Sequence, residues 1–229
     1  MKQKLTLIAF SALALVGCGG GGSGSPADDV ASNIRSVTAD YTLTNPVDLY
    51  LGDELVINQQ PAGFLTPYKQ VAPGARQVVY RDDVTKNVVA ESESAPPLST
   101  GGYFTFLTWS SDTGSKVLLL TDDHQTSAGK GKARFVYAAS GVGPVDVYLV
   151  APETDLSTTD PSFRNLTPGS ATPYVEFDPQ WVEFWVTKAG EKDPIFSTSI
   201  DLKASNVQSV ALVRNDFGNL WMLFLQDLN

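Results

Sequence analysis

Two stretches about a hundred residues apart are near copies of one another: NPVDLYL at Asn45–Leu51 and GPVDVYL at Gly143–Leu149. Arg35 and Val37 ahead of the first copy match Arg134 and Val136 ahead of the second. Thr66-Pro67-Tyr68 followed by Pro73 recurs as Thr172-Pro173-Tyr174 followed by Pro179, and VLLLTDD at Val117–Asp123 parallels MLFLQDL at Met222–Leu228. The offset moves from 98 residues at Pro46/Pro144 to 106 at Pro67/Pro173 and 105 at Val117/Met222. One insertion around PETDLSTTDPSFRN accounts for most of that drift. Blocks that match in the same order mark a duplication, and a duplication fixes the unit that has to fold. The expectation is two modules, residues 33–125 and 130–229, joined near HQTSAGKGK.

Each module reads as β. RQVVYRD, GYFTFLTW and KVLLLTD are short and rich in β-branched or aromatic residues, with Gly, Pro, Asn, Asp and Ser around them. In QWVEFWVTK, Val182, Phe184 and Val186 point to one face, and Trp181, Glu183, Trp185 and Thr187 to the other. No window carries a helical stripe of useful length. The fold class expected is all-β: two tandem immunoglobulin-like antiparallel β-sandwich modules. The Cys–Trp–Cys core signature of that architecture is missing, so apolar packing has to replace it.

The one cysteine of the chain, Cys18, stands outside both modules. Ahead of it, Lys2 and Lys4 precede the short apolar run LTLIAFSALALVG, which is too short for a bilayer span of about 20 residues and reads as a secretory signal peptide over residues 1–17. Leu15-Val16-Gly17-Cys18 resembles the bacterial lipobox, which implies a lipid such as palmitate on Cys18 and a membrane anchor. Residues 18–32 then form a Gly/Ser linker. Gly19 is not the aspartate of the inner-membrane retention rule, so that resemblance favours the outer membrane of a bacterial cell envelope. Cleavage removes two lysines and no acid, taking the net charge from −9 to −11. Such a body repels phosphate backbones, so no nucleic acid partner is expected, and the lipid alone has to hold the membrane.

RFVYAASGVGPVDVYL at Arg134–Leu149 resembles the opening of the bacterial domain-of-unknown-function 4397 family, an Arg-Val-x-His-Ala-Ser segment leading into Val-Asp-Val-Tyr. FLTPYKQVAPGARQVVY, LSTGGYFTF and VLLLTDD resemble later segments, so the likeness extends over both modules. The family's early His is Tyr137 here and Thr38 in the first module. The resemblance implies a secreted or surface β-sandwich, often in tandem, and no activity.

Few residues offer chemistry. His124 is the only imidazole and falls in the joining segment, where it reads as a solvated linker residue rather than a catalytic base. A metal site is disfavoured with one His and no free Cys, and no cofactor is expected. The pairs Asp28-Asp29, Asp53-Glu54, Asp82-Asp83 and Asp122-Asp123 read as turn formers and solubilising charge. Asp48 and Asp146, one in each PVDxYL block, read as acceptors for a neighbouring loop's backbone amides. Trp181 and Trp185 are the candidate ligand residues, since two indoles on one strand face suit a protein or a glycan of the cell surface. The competing expectation is that this face is buried between the modules, because two bare tryptophans are uncommon on a soluble domain. The function expected is therefore a non-catalytic cell-envelope lipoprotein, a tandem β-sandwich binding or structural module of unknown ligand, with no catalytic residue. The alternatives are an envelope hydrolase working through carboxylates and a passive spacer.

Overall fold

The computed structural model describes residues 31–228, which form nineteen strands and no helix. In the first half, β1 (Ser32–Thr38), β4 (Lys69–Val71), β9 (Tyr103–Ser111) and β10 (Gly114–Asp122) make a sheet in the order β10-β9-β1-β4. A second sheet, β3-β2-β6-β7, is built from β2 (Val47–Leu51), β3 (Glu54–Gln60), β6 (Val78–Asp82) and β7 (Val88–Glu91). A small ribbon pairs β5 (Gly74–Ala75) with β8 (Pro97–Leu98). The second half repeats the plan. There β11 (Gly131–Tyr137), β14 (Ser170–Ala171), β15 (Val175–Phe177), β18 (Val207–Arg214) and β19 (Leu220–Leu228) form one sheet. The other runs β13-β12-β16-β17 through β12 (Val145–Val150), β13 (Phe163–Leu166), β16 (Gln180–Lys188) and β17 (Pro194–Leu202).

The antiparallel scheme has one exception in each half: β1 runs parallel to β9, and β11 parallel to β18. Between the two sheets of the first half lies a core of Ile34, Leu49, Val78, Tyr80 and Phe106. Phe135, Val147, Phe184, Val186 and Val210 fill the corresponding core of the second. Alternation builds these cores, since every second side chain of a strand faces inward. Asp48 and Asp146 are buried and accept backbone amides as their position suggests. Asp48 Oδ1 receives the N–H of Gln59 at 2.9 Å, and Asp146 Oδ1 that of Asn165 at 2.8 Å. Both donors have positive φ (52° and 54°), so each carboxylate holds a strained residue at the same place in its half.

A third apolar cluster joins the halves. Val37, Leu107, Trp109 and Leu120 of the first pack on Val136, Ala211, Val213 and Leu225 of the second. The packing face is thus β1/β9/β10 against β11/β18/β19. This corrects the expectation that the Trp181/Trp185 face is the interface: those residues lie on the far sheet of the second half, with Trp181 54% exposed.

Beside this cluster sits a buried, reciprocal set of ions. Arg35 crosses to Asp227, and Arg134 crosses back to Asp122, each through Nη2. Each Nε donates to a hydroxyl of its own sheet, Arg35 to Thr105 and Arg134 to Ser209, both at 2.7 Å. Each Nη1 donates to a carbonyl across the junction, Gln226 at 2.7 Å and Thr121 at 2.8 Å. Tyr68 donates to Asp122 and Tyr174 to Asp227, each at 2.7 Å. The guanidinium of Arg35 lies 4.7 Å from the Tyr68 ring centre, and that of Arg134 4.5 Å from Tyr174. Asp122 is therefore no solubilising turn residue, as its place in a DD pair suggests, but a buried partner of Arg134. Asp82 does form a turn, accepting the amides of Val84 and Thr85.

Removing one member of a buried pair strands the other charge, which costs about 3–5 kcal/mol. Arg35→Met is expected to lower unfolding stability by about that amount in urea titration. Arg35→Met with Arg134→Met should cost less than the sum of the singles, because both cations serve one cluster. A single substitution costing under about 1 kcal/mol would show that the crossing carries little of the stability.

Candidate binding surface

The outer face of the β12/β16/β17 sheet is built by strand alternation. Inward go Val182, Phe184 and Val186; outward go Trp181, Glu183 and Trp185. On β17 the outward residues are Ser197, Ser199 and Asp201, all exposed. Register aligns them in rows: Trp185 opposite Ser197, Glu183 opposite Ser199 and Trp181 opposite Asp201. The Trp185 indole N–H donates to Glu183 Oε2 at 2.8 Å, which fixes both side chains along the strand. A shallow groove of about 130 Å³ runs between Glu183, Trp185 and Ser197–Ser199.

One side of this face has a wall. Tyr148 of β12, the cross-strand neighbour of Trp185, is buried, and the Lys192 ammonium lies 5.2 Å from its ring centre. The same ammonium donates to the carbonyls of Leu156 (2.8 Å) and Thr159. The insertion that disturbs the repeat offset is thereby tied down beside the tryptophans. Trp181 and Trp185, two turns of the pleat apart, sit about 13 Å from each other by strand rise. The structure brings both sequence candidates to one solvent-facing surface. It adds Glu183, Ser197, Ser199 and Asp201, which the period-two alternation in IFSTSID marks in the sequence but which carry no motif of their own.

The other candidates lie elsewhere. Cys18 is outside the described residues. Trp109 is buried in the junction, and Trp221, 53% exposed, stands on β19. Among the described residues no three His, Asp or Glu side chains gather as metal ligands. His124 is half-buried rather than solvated: its ring centre is 4.2 Å from Tyr103 and 5.6 Å from Tyr68, and Nε2 lies 3.3 Å from the Tyr68 hydroxyl. It stands at an edge of the ion cluster, its Nε2 beside the Tyr68 hydroxyl that donates to Asp122. Burial, with Asp122 adding, also pushes the Asp227 carboxyl above the ordinary range, against the pull of Arg35.

A family model described as "Domain of unknown function (DUF4397)" matches residues 32–148. The chain belongs to this family. The matched DUF4397 residues take in all of β1–β10 and run through β11 into β12, ending at Tyr148. The repeat of the plan in β13–β19 lies beyond them. No curated protein matches the chain. Among solved structures, the CBMbc module (family CBM26) of Eubacterium rectale Amy13K, in complex with maltoheptaose, is similar over 86% of this chain and 97% of that one, at 10% identity and a TM-score of 0.27.

Burial is the main influence on His124 and lowers its pKa from 6.5; Arg35 acts the same way, while Asp122, Asp227 and Asp123 oppose it. Below the unfolded value of about 6.5 the unfolded chain binds the proton more readily than the folded one, so this residue's contribution is present above about pH 6.5 and lost as pH falls. The single histidine should titrate below 6.5 by NMR, and His124→Gln should flatten the stability slope just below pH 6.5. A midpoint at or above 6.5 would contradict the buried setting.

Proposed function

We propose that this DUF4397 protein is a non-catalytic glycan-binding protein of the bacterial cell envelope, anchored at the outer membrane by lipid on Cys18, with residues 33–125 and 130–229 as its two modules. One observation carries the reading: Trp181 and Trp185 share an open sheet face with Glu183, Asp201, Ser197 and Ser199. Sugar rings present an apolar face, which stacks on an indole, and a rim of hydroxyls, which bond to carboxylates and serines. A protein interface concentrates apolar residues at its centre and keeps charge out of it. Here a carboxylate stands between the two indoles. Their separation exceeds one sugar ring, so a ligand using both is an oligosaccharide. Spread-out polar groups on a shallow surface suit recognition rather than bond cleavage, which needs facing acids in a cleft.

Binding is tested with the parent protein in native affinity gels cast with neutral glucans, mannans or galactans. Retardation by at least one of them is expected, and Trp181→Ala should weaken that binding tenfold or more, about 1.4 kcal/mol. Because Trp181 is exposed, its loss should change stability by no more than about 0.5 kcal/mol. Equal mobility of parent and variant in every gel would sink the glycan reading. The anchor is tested separately: Cys18→Ser should leave the membrane fraction or accumulate unprocessed. A variant that is processed normally and still sediments with membranes would exclude the lipid.

A further inference from the structure

β10 is the outermost strand of its sheet and pairs only with β9 among the described residues. Its hairpin turns on Asp112-Thr113, with Ser111 opposite Gly114. In such a two-residue hairpin the closing pair bonds across the strands, so Lys116, Leu118 and Leu120 point their amides at β9, and Ser115, Val117, Leu119 and Thr121 point theirs away. The outward carbonyl of Thr121 shows what the edge can do, since it accepts Arg134 Nη1 from the other half. The next outward residues, Leu119 and Val117, open on a groove of about 580 Å³.

That groove meets the strand edge-on. Lys116, Val117, Leu118 and Leu119 all line it although consecutive side chains of a strand face opposite ways. One wall is Glu91–Ser94, where Ser92 is fixed by its N–H to Val78 O and by the Val78 N–H to its hydroxyl. The other wall is Ser140 and Pro168-Gly169 of the second half, with Trp109 packed at Gly169. Glu91, Glu93 and Asp112 are exposed around it, and Lys116 is the only cation in its lining. An unpaired edge beside an apolar floor is a template for strand addition.

We propose that this groove binds an extended basic peptide segment, which adds to β10 as an antiparallel or parallel strand through the amides and carbonyls of Val117 and Leu119. Its lysines or arginines face Glu91, Glu93 and Asp112, and its apolar side chains face Val117 and Leu119. This site is separate from the tryptophan face and stands or falls independently of glycan binding.

The probe is an acetylated, amidated peptide of alternating lysine and valine, followed by fluorescence anisotropy and by hydrogen exchange on the full chain. Saturable binding is expected, with slowed exchange at the amides of Val117 and Leu119. The same peptide N-methylated at every residue, so that neither edge keeps an N–H, should not bind, since its charge is kept and its strand pairing removed. Glu91→Lys with Glu93→Lys, both exposed and so compatible with the fold, should weaken binding about tenfold. Failure of the parent to bind overturns the proposal. Equal binding of the N-methylated peptide, or unchanged exchange in β10, also overturns it and leaves charge attraction alone. A parent that sediments as a dimer with both amides already protected assigns the edge to a second copy, against the peptide.

Discussion

The arrangement of the two halves depends on one reciprocal contact, the crossing of Arg35 to Asp227 and of Arg134 to Asp122. Buried ions cost several kcal/mol each to desolvate, and only close pairing with full hydrogen bonding offsets that. Here the offset is nearly complete. Asp122 receives Arg134, Tyr68 and Thr105, while Asp227 receives Arg35, Tyr174 and Ser209. Two cations and two anions leave no net charge inside. Such a set has only one geometry that satisfies it, so it fixes the relative placement of the halves, whereas the apolar cluster next to it supplies attraction with little direction. Apolar burial is non-directional; the ion crossing is what sets the angle.

That placement decides which surfaces remain. The β1/β9/β10 and β11/β18/β19 faces meet at the junction, so the outer sheets and the strand edges, with Trp221 exposed on β19, are what stays open to partners. The joining segment is drawn into the same construction. Lys132 donates to Asp123 at 2.6 Å, and its ammonium lies 4.9 Å from the Tyr174 ring centre. His124 stacks against Tyr103 nearby. The short joining segment is thus held by charge and ring contacts at both ends, which is why a free hinge does not describe it.

Much of this was legible in the repeat, though under another heading. The residues that recur between the halves, Arg35/Arg134, Tyr68/Tyr174 and Asp122/Asp227, are the members of the ion cluster, and Asp48/Asp146 brace the same turn in each half. Recurrence therefore marks scaffold. The strands followed from apolar and β-branched runs, and the two faces of β16 from alternation alone. Which face met the other half was not legible, because alternation says that a strand has two faces and nothing about what covers the outer one. Nor was the burial of Asp122: a DD pair at a strand end has the composition of a turn, and only an arginine from a distant strand makes it an interior residue. The parallel pairs β1/β9 and β11/β18 join strands far apart in sequence, a pairing that no local pattern encodes.

The same logic, run in the other direction, points at the tryptophans. By register, Tyr50 opposes Val79 in the first half where Tyr148 opposes Trp185 in the second. β6 has five residues and β16 nine, and the extra length at the start of β16 carries Trp181 and Glu183. The second half also has the insertion that Lys192 ties down beside this face. A duplicated scaffold needs none of these differences to fold, since the first half closes its core without them. An exposed indole adds no core packing, and solvent-facing apolar surface favours unwanted association. The proposed glycan site would account for an exposed indole that core packing does not use and solubility opposes. Where two halves share one plan, divergence on an open face is the place to test for binding, and the strip from Trp181 to Trp185 is such a place.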